Sequence, residues 1–416
     1  MQDVSLGIVQ NDLENFLKQE SAADCAAGFC PPLRSLAVLV GDNRSGKSSL
    51  LEALAFLRDA VLYGSEQASA MEQREGLDEI HTYGQPEELR IELCLLTSDR
   101  RAILSYRASF GKNSAGQATF TSEELIRYRL SHLLVEVLDL DVPEVETLAE
   151  TMDKTAVFSR KELSQSGECP DLLETEAVLA AHSFRESHED AEQFYNFLEN
   201  IFILTGDGKG DRNDRHTHWR RRSCPQAATE EPLLLCYGEN VDSWLRYWQA
   251  KDETYYNELS ALIGEVLHIP WQGRLLDWIS RLTASESKLC LVLLLLHQKQ
   301  AKTLLSFENP DSGLYPDKVD ALAAELRAYT LTNPDSQIFM TTSHMNLLEN
   351  MAPEEVWAFH LNGSEARSVE PDRDLPLRAG VLPRIRVRSA VEDPLIVAMY
   401  REGIGLGTLL YGGYFA

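Results

Sequence analysis

The chain has no apolar run long enough to cross a bilayer. Its strongest, Leu289 to Leu296, falls far short of the roughly 20 residues a spanning helix needs, and it reads as a buried helix. Cysteine is scarce: seven in 416 residues, an odd number without CxxC pairs, which argues against a disulfide framework. Cys25 and Cys30 are the nearest pair, and a pair alone makes no zinc site. No signal-peptide pattern opens the sequence, so the expected compartment is a reducing cytoplasm. Positive charge is also short. Lys and Arg number 39 against 65 Asp and Glu, a net charge of −26. A protein that coats nucleic acid needs the opposite balance, because phosphate neutralisation drives that binding. Any contact with nucleic acid is therefore expected only through local basic segments. One is Lys209 to Arg222. The other is Arg384, Arg386 and Arg388, which share one face of a strand. No internal repeat, no Gly-x-Ser-x-Gly elbow and no paired-carboxylate nuclease pattern is present. His216, His218 and Cys224 lack a fourth ligand nearby, so they make no metal site.

Against these absences stands one complete motif. Leu36 to Val40 is an apolar run ending at Gly41. Asp42-Asn43-Arg44-Ser45 follows, and Gly46-Lys47-Ser48-Ser49 opens a helical pattern. This is a phosphate-binding loop, G-x-x-x-x-G-K-S, in its strand–loop–helix setting. Gly41 and Gly46 allow turns that a β-carbon would obstruct. The loop amides form an anion nest, and the following helix adds the positive end of its dipole. Lys47 supplies a mobile charge for the outer phosphates, and the Ser48 hydroxyl is placed to ligate Mg²⁺. Gly41, Asn43, Gly46, Lys47, Ser48 and Ser49 form the expected binding set for ATP with Mg²⁺. Leu50, Leu54, Leu57 and Val61 share one face of the helix.

Residues 1–33 read as an opening strand with an irregular connection. Leu89 to Leu95 alternates as a strand, with Arg101 to Ala108 as its hairpin partner. From about 121 to 200 the pattern reads as helical, carried by Leu130, Leu133, Leu134, Val137 and Leu138. Residues 205–231 read as a mobile glycine- and arginine-rich loop. Tyr255, Leu259, Leu262, Ile263, Val266 and Leu267 keep helical spacing, with Trp244 and Trp248 nearby as packing residues. The expected organisation is an α/β head from residues 1–120 and 281–416, with a helical lobe inserted at 121–280.

Chemistry returns late in the chain. Thr303 to Glu308 reads as a buried strand tipped by an acid, where a triphosphatase places the carboxylate that holds Mg²⁺. Asn309-Pro310-Asp311-Ser312-Gly313-Leu314-Tyr315-Pro316 follows. Val319, Leu322 and Leu326 mark one face of a helix, and Ser336 to His344 is another strand ending in a polar turn.

The order of these parts resembles ABC-type ATPases, and within them the RecF-like and OLD-like (overcoming lysogenisation defect) branch of bacterial genome-maintenance and phage-defence proteins. The features that carry it are the phosphate loop, a Ser-containing turn before a Leu-rich helix, the acid-tipped strand with Pro-x-x-Gly-Leu-x-Pro, the Thr-Thr-Ser-His strand end, and the Gly405 to Gly413 tail. The resemblance implies a P-loop α/β head that dimerises around two nucleotides. Gly41, Gly46, Lys47 and Ser48 would hold phosphates and Mg²⁺, and Glu308 would be the metal-side carboxylate. Ser285, in Ala284 to Lys288, would face the partner's outer phosphate, and Asp311 would lie in the segment coupling the two sites. Three departures imply weak hydrolysis. Asn309 stands where the family has a glutamate that activates water, and an amide cannot accept a proton as a carboxylate does. Ser287 stands at the signature glycine. Ser343 stands at the phosphate-contacting histidine, with His344 displaced by one, which reverses side-chain direction on a strand end. A second alignment makes Glu308 the catalytic glutamate and puts Phe307 at the metal position. It misaligns both prolines and leaves the metal without its acid.

The expected function is an ATP-binding regulatory or scaffold subunit of an anti-phage complex. It would form a homodimer or higher oligomer through its heads and control a separate effector, a nuclease or toxin. The alternatives are an active RecF-like repair ATPase and a structural adaptor with nucleotide as a fold ligand.

Overall fold

A computed structural model describes residues 35–42, 45–71, 74, 76–80, 88–97, 101–130, 153–166, 172–204, 234, 240–269, 275–279, 281–300, 302–362 and 384–415. In chain order its strands are β1 (Leu36–Gly41), β2 (Leu89–Leu96), β3 (Ala102–Lys112), β4 (Ala118–Arg129), β5 (Asp153–Ser159), β6 (Ile201–Leu204), β7 (Leu304–Glu308), β8 (Gln337–Thr341), β9 (Val356–Asn362) and β10 (Arg384–Ser389). Its principal helices are α1 (Lys47–Tyr63), α2 (Glu189–Glu199), α3 (Val241–Lys251), α4 (Glu253–Val266), α5 (Ala284–Leu296), α6 (Pro316–Thr332), α7 (Pro394–Arg401) and α8 (Leu406–Tyr411). The chain divides into two compact units. One includes Asp42–Ile201 and Phe359–Ser389, and the other includes Phe202–Ala358, Ala390–Ala416 and β1.

In the first unit β2, β3, β4 and β5 form an antiparallel sheet in that order. Tyr106 faces Leu93 on one side and Leu125 on the other. The β2–β3 hairpin is the one the alternation predicts. The helical reading from residue 121 is corrected here. Ala118–Arg129 is a strand paired along its length with β3, and Asp153–Ser159 pairs with it in turn. Phe120, Leu125 and Tyr128 are buried there, and aromatic and Thr residues favour an extended, half-buried surface. Helical segments do follow, at Arg160–Ser166 and α2. Leu133, Leu134, Val137, Leu138 and the 205–231 segment lie outside the described residues. Helix α1 packs on the sheet through Phe56, whose ring meets Phe110 edge-on at 4.9 Å. Glu123, fully buried, fastens β4 to the following turn. It accepts from Val178 N at 2.7 Å, Leu179 N at 3.1 Å and Tyr106 Oη at 3.0 Å, with Arg160 paired to it at 3.2 Å. Four donors on one carboxylate offset much of the cost of burying it. Burial still raises its pKa.

In the second unit the strands run β9-β1-β8-β7-β6, and β8 is parallel to both β1 and β7. Parallel strands covered on both faces read as continuous apolar runs, as Leu36 to Val40 does. Helix α5 is buried on every side from Leu289 to Leu296, in one core with Ile263, Leu322, Leu326 and Trp244. A helix apolar all round belongs inside a core or a membrane. Here it is the core, and no helix among the described residues is long and apolar enough to span a membrane. The helices expected around Leu259 and Leu322, and the strand expected to end at Glu308, are all present. So is the strand of Arg384 to Arg388, where Arg388 is exposed.

Candidate nucleotide site

Strand β1 ends at Gly41, and α1 begins at Lys47 after a four-residue loop and Gly46. Gly46 is the N-cap with φ 92°, a left-handed conformation that favours glycine. The Leu50 amide donates to the Gly46 carbonyl at 3.0 Å, and Ser45 N donates to Asp42 O at 3.2 Å. The Lys47 ammonium folds over the loop and donates to Asp42 O at 2.8 Å and to Ser45 Oγ at 3.1 Å. Among the described residues no side chain caps α1, and its first turn holds no acid. The positive end of the helix dipole and a lysine charge thus coincide. Ser48 and Ser49 are exposed, while Asn43 and Arg44 lie outside the described residues.

Within the second unit, register places the acid-tipped strand. Leu39 pairs with Thr341, and Thr341 pairs with Glu308. With parallel neighbours roughly 4.8 Å apart, Glu308 stands about 10 Å across the sheet from the strand that feeds the loop. All three strands end on one edge, the edge where open parallel sheets bind ligands. Phe307 is fully buried in the apolar core and Glu308 is half-buried. Adjacent strand residues face opposite ways, so Glu308 is the carboxylate presented there.

Asn309 has φ 43°, left-handed although Pro310 follows. A residue before proline prefers extended backbone, so this turn is held by its surroundings. Asn309 N donates to Thr341 O at 3.1 Å and to Thr341 Oγ1 at 3.0 Å. The Lys288 ammonium, reaching from α5, donates to Glu308 O at 2.6 Å and Asn309 O at 3.0 Å. Asn tolerates the left-handed region better than Glu does, which gives the amide at 309 a local reason. Next to this turn Asp311 is buried and accepts from Thr342 Oγ1. Burial pushes its pKa up, against the Thr342 hydrogen bond and the nearby His344 and Lys288.

Ser343 is exposed, and His344 is half-buried as the N-cap of a short helix, Met345–Glu349. His344 N donates to Thr342 Oγ1 at 2.9 Å, and its ring Nδ1 is buried with no hydrogen-bond partner among the described residues. Both residues lie beyond the end of β8 at Thr341.

At the N-terminus of α5 the cap is Thr283, in a capping box with Glu286. Glu286 accepts from Thr283 N at 3.0 Å and Thr283 Oγ1 at 2.8 Å, and it pairs with Lys318 at 2.7 Å. These partners, Lys318 first, hold its pKa down at about 2. The positive pole of α5 is therefore met by its own carboxylate, unlike that of α1. Ser285 lies against the 311–314 turn: a β-carbon on Gly313 would fall 2.4 Å from its Oγ. The sequence places Glu286 and Lys288 in the same turn as Ser285 but gives them no role of their own, and it does not point to Thr283 or Lys318. The T-x-x-E pattern before an apolar run was the available signal for the first two.

Backbone amides at a helix start and a lysine are groups of the kind that bind phosphate, and hydroxyl and carboxylate oxygens are ligands of the kind Mg²⁺ takes.

Residues 36–168 match the family described as "AAA domain, putative AbiEii toxin, Type IV TA system". No curated protein matches the chain. Among solved structures, the chain is similar to an SMC head bound to the C-winged helix domain of ScpA, at 13% identity and a TM-score of 0.40, over 86% of this chain and 91% of that one. It is also similar to the SMC head domain from Thermotoga maritima, at 10% identity and a TM-score of 0.33, over 78% and 86%. The parallel sheet, the loop and the family match make this a P-loop α/β fold.

Proposed function

We propose that this chain is an ATP-binding head of the RecF-like/OLD-like branch, acting as a regulatory or scaffold subunit of an anti-phage complex. Two heads close around ATP and Mg²⁺ and control a separate effector. The observation that carries the reading is the pairing of an intact phosphate loop with a water-activating position occupied by Asn309. Lys47, Gly46 and the α1 amides would bind the phosphates, and Ser48 and Glu308 would hold Mg²⁺. Bound Mg²⁺ would neutralise phosphate charge. The loop amides bind and orient, and Glu308 keeps its carboxylate at the sheet edge. Asn309 orients water by hydrogen bonding without taking its proton, and losing such a base costs on the order of 10²–10⁴ in rate. The self-capped N-terminus of α5 further lowers the attraction of that turn for a partner's phosphate. ATP would then act as a ligand that favours one arrangement of heads, and slow hydrolysis keeps that arrangement long-lived. The toxin–antitoxin description of the matching family supports a defence role. The test is size-exclusion chromatography with light scattering, with and without ATP·Mg²⁺, beside a phosphate-release assay. The reading expects an ATP-dependent rise in mass with slow release. Fast multiple turnover stimulated by DNA would favour a repair ATPase instead, and a mass indifferent to nucleotide would favour a structural adaptor.

A further inference from the structure

The C-terminal tail contacts the nucleotide edge of the second unit at one point. The short helix Met345–Glu349 begins directly after Ser343 and His344. Its last residue, Glu349, reaches the start of α8 and accepts from Thr408 N at 2.8 Å and Thr408 Oγ1 at 2.7 Å. At Gly407 the approach leaves no room for a side chain. A β-carbon on Gly405 would sit 1.3 Å from Glu349 Oε2, and one on Gly407 would sit 2.1 Å from the Met345 carbonyl oxygen. Beneath this contact Leu406, Leu409 and Phe415 are buried in the same core as Leu347 and Leu348. At its other end the short helix is tied to the site. His344 N donates to Thr342 Oγ1, Thr342 Oγ1 donates to Asp311, and Thr342 N donates to the Leu39 carbonyl of β1 at 3.1 Å. A five-residue helix fastened at both ends cannot shift at one end without loading the other.

We propose that the Gly405-Leu406-Gly407-Thr408 segment is a clamp that fixes the Ser343–His344 turn through Glu349. The tail thereby sets how tightly the head holds a nucleotide's outer phosphate. The nucleotide part rests on the function proposed above. The clamp itself rests on the contacts alone. Amide packing this close is the use to which glycine is put when two backbones must approach. The carboxylate answers the amide end of α8 as a capping residue does. Because Glu349 and Thr408 are both exposed, the clamp can be released without opening the core.

The experiment is amide hydrogen exchange on the full chain over residues 345–351, paired with titration of a fluorescent ATP analogue in Mg²⁺. Glu349→Ala removes both hydrogen bonds, Gly407→Ala forces the backbones apart, and Glu349→Gln restores a neutral acceptor. Exchange in 345–351 is expected to quicken about tenfold in the first two variants and to stay within about threefold of wild type in Glu349→Gln. Nucleotide affinity is expected to fall in parallel. Unchanged exchange in both Glu349→Ala and Gly407→Ala would overturn the clamp. Faster exchange with unchanged affinity would overturn its link to the nucleotide. A wild-type chain that binds no nucleotide would sink the proposed function instead, while the exchange data still decided whether the clamp exists.

Discussion

Replacing Glu286 with Gln should destabilise the second unit in a way that depends on pH. The carboxylate carries the capping box of α5 and its bond to Lys318. Its pKa falls from 4.5 to about 2 in the fold, first because of Lys318 and then because of the Thr283 amide. A shift of about 2.5 units corresponds to at most about 3.4 kcal/mol at 1.36 kcal/mol per unit. Solvent reaches this pair, with side-chain exposures of 26% for Glu286 and 11% for Lys318. Screening therefore reduces the figure to about 1–2 kcal/mol, which is also the size of a lost helix cap. A depressed carboxylate pKa gives stability that is present above pH 4.5 and is lost as pH falls toward 2. The wild type should therefore exceed Glu286→Gln by that amount at pH 7, and the gap should narrow below pH 4.5. All six tryptophans lie within Phe202–Ala358, so urea unfolding followed by Trp fluorescence reports on this unit. Equal stability of the two proteins at pH 7 would refute the reasoning, as would a gap that persists undiminished toward pH 2.

Two further outcomes follow from the site and the core. Asn309→Glu should raise phosphate release at least tenfold, less than the full gain from a general base because Glu sits in the left-handed region at an extra cost of about 1 kcal/mol. An unchanged rate would show that Asn309 is not what limits hydrolysis. Leu293→Ala, in the fully buried α5, should cost about 2–5 kcal/mol in the same urea assay, and a loss under about 1 kcal/mol would mean that α5 is not the centre of the core.

Local patterns were legible in the sequence, and long-range partners were not. The phosphate loop declares itself because glycine positions, Lys47 and Ser48 fall within eight residues of one another. Helix α5 declares itself through an unbroken apolar run. The β2–β3 hairpin shows as alternation, yet β4 was read as helix. In Ala118–Arg129 the alternation is interrupted by a bulge between Leu125 and Ile126, and the leucines just beyond it keep helical spacing. That Asn309 stands at the family's glutamate position could be read from alignment. Its left-handed backbone could not, since Pro310 argues locally for the opposite conformation. It exists because Thr341 and Lys288 hold it, and both are remote in sequence. The same distance hid Lys318 from Glu286 and Thr408 from Glu349.

The most direct measurement is calorimetric titration of ATP with Mg²⁺ into the wild-type chain and into Lys47→Ala. The account predicts saturable binding at one site per wild-type chain, with affinity falling about ten- to hundredfold in the variant, as expected for a lost charge-assisted contact to phosphate. No binding by the wild type, or identical isotherms for the two proteins, would contradict it.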